Sequence, residues 1–181
     1  HLPVFDAVFA QVFGVPAAIS AHLIAHPGVR LVTFTGSVPV GKQLTALAGT
    51  HMKPVIMELG GHSPVFVCDD ADADQAANSI LKAKARNAGQ VCVSPTRIFV
   101  EDALYGRFRA AFIDRAREIR TGNGLEASTQ MGPLANARRI AAMEELVGDA
   151  ADRGAKVLTG GRRAGGKGYF YPLTVIDSVP D

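Results

Sequence analysis

The segment KARNAGQVCVSPTR places Cys92 between Gly89-Gln90 and Ser94-Pro95, just past a predicted helix, where small and polar neighbours leave its sulfur open to a substrate. A thiolate near a helix end, where local dipoles lower its pKa, can act as a nucleophile. The other cysteine, Cys68, lies in the strand-like run PVFVC and reads as a plain buried thiol. Upstream, Glu58 closes the apolar run VIME and is followed by Leu59 and two glycines. A carboxylate amid so much apolar sequence tends to hold its proton and suits a general base. The same residue can equally be a solvated or lysine-paired carboxylate at a sheet rim. A third segment, FTGSVPVG, ends a strand at Phe34, with Gly36 and Gly41 bracketing a turn into a helix. Free amides at a helix N-terminus and the Ser37 hydroxyl suit an anionic oxygen such as a pyrophosphate, although G-x-x-x-x-G is also a common strand–helix turn. His62 stands beside the ELGG segment, but nothing in the sequence orients it toward Cys92 as a dyad would require.

The elements that carry these residues alternate. VPAAISAHLIAHPG reads as a helix stopped by Pro27-Gly28, followed by the strand VRLVTF, the helix KQLTALAG and the strand KPVIMEL. SPVFVC is a strand; DDADADQAANSILKAKARNAG is a helix with acidic residues at its start and glycine at its end. Then come the strand RIFV, two helices over YGRFRAAFIDRAREIR and NARRIAAMEELVGDAADRG, the strand AKVLTGG, the turn GGRRAGGKG and the strand-like YFYPLTVI. Strands separated by helices predict an α/β fold of βαβ units with parallel strands in Rossmann-type layers. Gly60-Gly61 and Ser63-Pro64 interrupt regular structure and mark a hinge between two lobes. Ligands of such sheets gather at the carboxyl ends of strands, where Glu58 and the FTGSVPVG turn both lie.

Composition narrows the class. A formal net charge of +2 with scattered basic residues gives no reason to expect nucleic acid. Two cysteines make no disulfide framework, and the five histidines and two cysteines form no metal-ligand spacing. With no secretory leader and no apolar run approaching the ~18 residues of a membrane span, a soluble cytoplasmic protein is expected.

FTGSVPVG, ELGGHSP and RNAGQVCVSPTR, in this order and at these separations, resemble segments of the aldehyde dehydrogenase superfamily. GNGLEASTQMGPL and YFYPLTVI resemble two further family stretches, so the resemblance covers essentially all 181 residues. It implies an aldehyde dehydrogenase-like fold and NAD or NADP as cofactor, with Gly36, Ser37 and Gly41 along the pyrophosphate and Leu59 as a further cofactor-binding position. It implies Cys92 as the nucleophile that forms a thiohemiacetal and then a thioester, with its own backbone amide among the oxyanion donors. Glu58 is then the base that activates water for hydrolysis. KARNAGQVC is most similar to the succinate-semialdehyde dehydrogenase branch, which implies that Arg86, six residues before Cys92, holds a substrate carboxylate. The alternative for Arg86 is a charge at a helix C-terminus. Ser94 stands where some members of that branch carry a second cysteine, so a disulfide switch of that kind is not expected.

The resemblance further implies an incomplete chain: residues 1–60 as the end of the cofactor domain and 61–181 as a truncated catalytic domain. Segments that the family uses for the adenosine ribose, the nicotinamide ribose and a side-chain oxyanion donor are not found. The expected partner is a small-molecule aldehyde, the complete protein is expected to form a homo-oligomer, and the 181-residue chain alone is expected to turn over little. An acylating relative that uses coenzyme A, which has less need of a base such as Glu58, and a non-catalytic module of the same fold are the two other classes considered.

Overall fold

The computed structural model describes residues 9–180, and Cα packing divides the chain into two compact units, which adjoin in sequence at Gly60 and Gly61.

The first unit contains α1 (Pro16–Ala25), β1 (Val32–Gly36), α2 (Val38–Thr50) and β2 (Val55–Leu59). Pro16 begins α1 where its fixed φ suits the helix and its missing N–H leaves no bond unmade. β1 and β2 are parallel, with Thr35 opposite Glu58 and Gly36 opposite Leu59, and α2 packs on both strands. Ile24, Gly41 and Ala48 are buried. The sequence reading ends the strand at Phe34 and starts the next helix at Lys42; instead β1 runs to Gly36 and α2 starts at Val38. The reason is Pro39, which signals a turn in sequence yet is tolerated in the first turn of a helix. Gly41 therefore lies inside α2 rather than at the edge of a turn.

The second unit contains β3 (Val65–Val67), α3 (Ala73–Ala85), a 3-10 turn (Arg86–Gly89), β4 (Ile98–Val100), α4 (Asp102–Glu118), α5 (Ala137–Asp152), β5 (Lys156–Thr159) and β6 (Val175–Asp177). The carboxylate of Asp72 caps α3 by accepting from Gln75 N at 2.9 Å, and Asn136 caps α5 by accepting from Arg139 N at 3.2 Å. β3 and β4 pair in parallel. Ile80 and Leu81 of α3 join Phe108 and Phe112 of α4 and Val67 of β3 in one core. Asp74 on α3 ties the two helices at the surface, receiving Arg115 at 2.9 Å and Arg107 at 3.0 Å.

The α/β expectation thus holds in β1–α2–β2 and β3–α3–β4, but the last pair departs from it. β5 and β6 are antiparallel, with an irregularity between Val157 and Thr159. A glycine-rich turn joins them where a parallel pair needs a crossover helix, so the chain folds back on itself. Among the described residues the strands form three two-stranded sheets. No helix there is long and apolar enough to cross a membrane.

Candidate active site

In the first unit, the predicted cofactor residues converge on one corner. Gly36 is the last residue of β1 and pairs with Leu59 at the end of β2. A Cβ at Gly36 would come within 2.4 Å of the Phe34 ring, and one at Gly41 within 2.7 Å of Leu59 Cδ2. A side chain at either position would have to displace its neighbour, Phe34 or Leu59. Ser37 is the N-cap of α2, with φ −76° and ψ 148°, and its hydroxyl makes no capping bond. Its carbonyl accepts the first helical bond, from Gly41 N at 2.9 Å, which leaves the first-turn amide hydrogens of Val38 and Val40 without an intrahelical partner.

Glu58 sits one residue before Leu59 and is exposed. Alternation along β2 turns Ile56 and Glu58 to one side and Val55, Met57 and Leu59 to the other. Its apolar sequence neighbours therefore do not surround it, contrary to the expectation drawn from the run VIMEL.

In the second unit, α3 stops at Ala85 and Arg86 turns the chain, with φ −55° and ψ 124°. Arg86 is exposed, and its guanidinium has no hydrogen-bond or ionic partner among the described residues. Asn87, Ala88 and Gly89 follow with φ of 50°, 52° and 75°. A left-handed conformation costs a non-glycine residue roughly 1–2 kcal/mol, so two such residues in succession persist only when their surroundings hold them. The holding bonds are explicit. Asn87 Nδ2 donates to Gln90 O, and Gln90 Nε2 donates back to Asn87 O, both at 3.1 Å. Gln90 also reaches the segment after α4: Nε2 donates to Pro133 O at 3.4 Å, and Oε1 accepts from Ala135 N at 2.9 Å. Ala88 packs against two apolar clusters, one around α3 and α4 and one formed by Leu134, Ile140 and Tyr171.

This braced segment leads into a turn closed by Ser94 N donating to Val91 O at 3.0 Å. Cys92 and Val93 form its exposed tip, and Ser94 is 3% exposed. The Cys92 carbonyl accepts from Ser63 Oγ at 3.2 Å, while the Cys92 N–H is engaged by no bond among the described residues. Two residues further on, Thr96 holds His62: its N and Oγ1 both donate to His62 O, at 3.1 and 2.7 Å, and its Oγ1 shares a bond with His62 Nδ1 at 3.0 Å. Thr96 thus holds His62 at Nδ1 and at its carbonyl, and no bond joins the His62 ring to Cys92 among the described residues. On the inner side of the turn, Lys84 Nζ donates to Ser94 Oγ at 3.2 Å.

Cys68 is a correction. β3 ends at Val67, so the thiol lies past the strand and is exposed rather than buried. The bracing set of Ser63, Asn87, Gln90 and Lys84 was not singled out in sequence. A cavity of about 570 Å³ lies in the glycine-rich turn around Arg162, Arg163 and Pro172 and shares no residue with the Cys92 turn. A smaller one, about 100 Å³, is bordered by Lys84, Pro95 and Thr96 behind that turn. Among the described residues no three His, Cys, Asp or Glu side chains gather as metal ligands would.

Comparison with known proteins gives a consistent picture. The model of the aldehyde dehydrogenase family matches residues 4–181. The chain is 47% identical over 173 residues to a 4-(hydroxymethyl)benzenesulfonate dehydrogenase of Comamonas testosteroni, covering 96% of this chain and 36% of that protein. It is 42% identical over 168 residues to a mitochondrial succinate-semialdehyde dehydrogenase of Oryza sativa subsp. japonica, covering 93% of this chain and 32% of that one. A crystal structure of an NADP-dependent enzyme of E. coli superimposes with a TM-score of 0.90 at 38% identity, over 93% of this chain and 35% of the other. The chain therefore spans about a third of the length of the relatives it matches. With one family model covering nearly every residue and the same fold recurring in the solved relative, the chain belongs to the aldehyde dehydrogenase family.

Proposed function

We propose that the protein to which this chain belongs oxidises an aldehyde to a carboxylic acid with NAD or NADP, and that Cys92 is its nucleophile. One observation carries the reading: an exposed thiol on a turn braced on both sides, whose own N–H is uncommitted. In this reading the first unit holds the nucleotide and the second carries out the covalent chemistry. The first unit's donors suit a pyrophosphate: a free Ser37 hydroxyl and the first-turn amides of α2, with Gly36, Gly41 and Leu59 shaping the corner. The bound nucleotide supplies the hydride acceptor.

The Cys92 thiolate attacks the carbonyl carbon, and the oxygen becomes an alkoxide in a thiohemiacetal. The Cys92 N–H is placed on the same residue to receive that charge. Loss of hydride leaves the acyl group on the sulfur as a thioester. Glu58, exposed at the end of its strand, takes a proton from the water that hydrolyses the thioester and so frees the thiol.

The substrate in this reading carries an anion. Arg86 offers a planar guanidinium, unpaired among the described residues, six residues before Cys92, suited to a carboxylate or a sulfonate. The names of the relatives point the same way, one to a sulfonate and one to succinate semialdehyde. The test is NAD(P)H formation by the full-length enzyme with succinic semialdehyde, a sulfonated aldehyde and an uncharged aldehyde of similar length. The expected result is turnover abolished by Cys92→Ala and a preference for the anionic substrates that Arg86→Ala removes. Full activity in Cys92→Ala would refute the assignment of the nucleophile.

A further inference from the structure

Lys84 occupies a position where a lysine is costly. It lies four residues after Ile80 and three after Leu81, both buried, so it shares the core-facing side of α3 rather than the solvated side. Burial pulls its pKa below the ordinary lysine value, because removing an ammonium from water disfavours the charged form. A lysine serving only the helix C-terminus has no need of this; Lys82, exposed in the same last turn, already meets that purpose.

What the side chain reaches explains the choice. Its ammonium donates to Ser94 Oγ at 3.2 Å, and Ser94 is the only buried polar residue among the described ones. On the other flank, a Cβ added at Gly89 would lie 3.1 Å from both Cε and Nζ of Lys84. One side chain thus bonds the end of the Gly89–Ser94 segment and fills the space beside its first residue, and Cys92 is presented between these two points.

We propose that Lys84 is a positioning residue, whose amine, bonded to Ser94 beneath the Gly89–Ser94 turn, fixes the backbone on which Cys92 is presented. The inference rests on Cys92 being the nucleophile. The small residue at position 89 and the hydroxyl at 94 are then parts of one device: the first leaves room for the amine and the second receives its hydrogen.

Alkylation by iodoacetamide tests it in the 181-residue protein, with Cys68 as an internal reference because both thiols are exposed. Lys84→Met keeps the apolar stem and removes the donor; Ser94→Ala removes the acceptor. Each is expected to lower the Cys92-to-Cys68 rate ratio about tenfold. The double variant is expected to be no slower than Lys84→Met alone, since both changes delete one bond. A generally loosened fold would move Cys68 as well and would make the two losses additive. A ratio within about twofold of the parent in either folded variant, or additive losses, overturns the proposal. If Lys84→Met fails to fold by circular dichroism, Ser94→Ala, which deletes a single oxygen, decides the question by itself. A parent protein in which Cys92 reacts no faster than Cys68 refutes the nucleophile assignment before any variant is made, and the inference falls with it.

Discussion

Ser63 donates its hydroxyl to the carbonyl of Cys92 at 3.2 Å, so the residue that follows the Gly60-Gly61-His62 run holds the backbone of the candidate nucleophile 29 positions later. Ser63 does so from a left-handed backbone, with φ of 42°. The bond joins the Gly61–Pro64 end of ELGGHSP to GQVC, both within the second unit.

Removing that hydroxyl has a defined expectation. Ser63→Ala deletes one bond worth about 1 kcal/mol and leaves the backbone conformation no easier to adopt. Alkylation of Cys92 is expected to slow by about fivefold, with a loss of about 1 kcal/mol in stability. Ser63→Gly, which relieves the left-handed strain, is expected to give the same slowing with equal or higher stability. Unaltered Cys92 reactivity in both variants would show that the bond is incidental.

Gly41 makes a prediction whose sign depends on its neighbour. In the parent, Gly41→Ala drives a methyl to 2.7 Å from Leu59 Cδ2, and overpacking of this kind costs about 1–3 kcal/mol, against about 1 kcal/mol gained in helix propensity. Denaturant unfolding is expected to show a net loss of about 1 kcal/mol. In a Leu59→Ala background the obstruction is gone, and the same substitution is expected to stabilise by up to about 1 kcal/mol. A loss of equal size in both backgrounds would mean that the α2–β2 contact does not set the choice of glycine.

The Asp74 carboxylate is held below its ordinary pKa by Arg115 first and then by Arg107. A folded-state pKa below the unfolded one contributes stability that is present above the unfolded value near 3.8 and is lost as pH falls through the folded value. Acid titration of the parent is therefore expected to show a loss of stability that begins near the unfolded value and that Asp74→Asn lacks. The side chain is 46% exposed, so the effect is modest and shrinks with added salt. Parallel acid limbs in parent and variant would refute it.

Much of this arrangement is written in local pattern. The β1–α2–β2 unit follows from alternating apolar runs, and the Asp72 cap follows from an acidic residue just before a helical period. The errors have physical reasons. Pro39 reads as a turn because its usual company is turns, yet the first helical turn accepts it. The parallel expectation does not extend to β5 and β6, because a strand's pattern does not encode its direction, which depends on whether a helix or a turn precedes it. Asn87 is of a type that visits left-handed backbone, but Ala88 carries no such signal, and the run is held by Gln90 and by packing from distant segments. Lys84 looks like an ordinary last-turn charge until its place beside Ile80 and Leu81 is mapped onto the helix.

The left-handed run bears on how the chain is cut. Trypsin must draw several residues around a scissile bond into an extended strand, so cleavage follows local opening rather than exposure alone. Arg86 is exposed, but the residues that follow it are bent the wrong way and tied by Asn87 and Gln90. Arg162, also exposed, lies in a glycine-rich surface turn of the kind proteases nick first. Limited digestion is therefore expected to open the chain at Arg162 before it opens at Arg86.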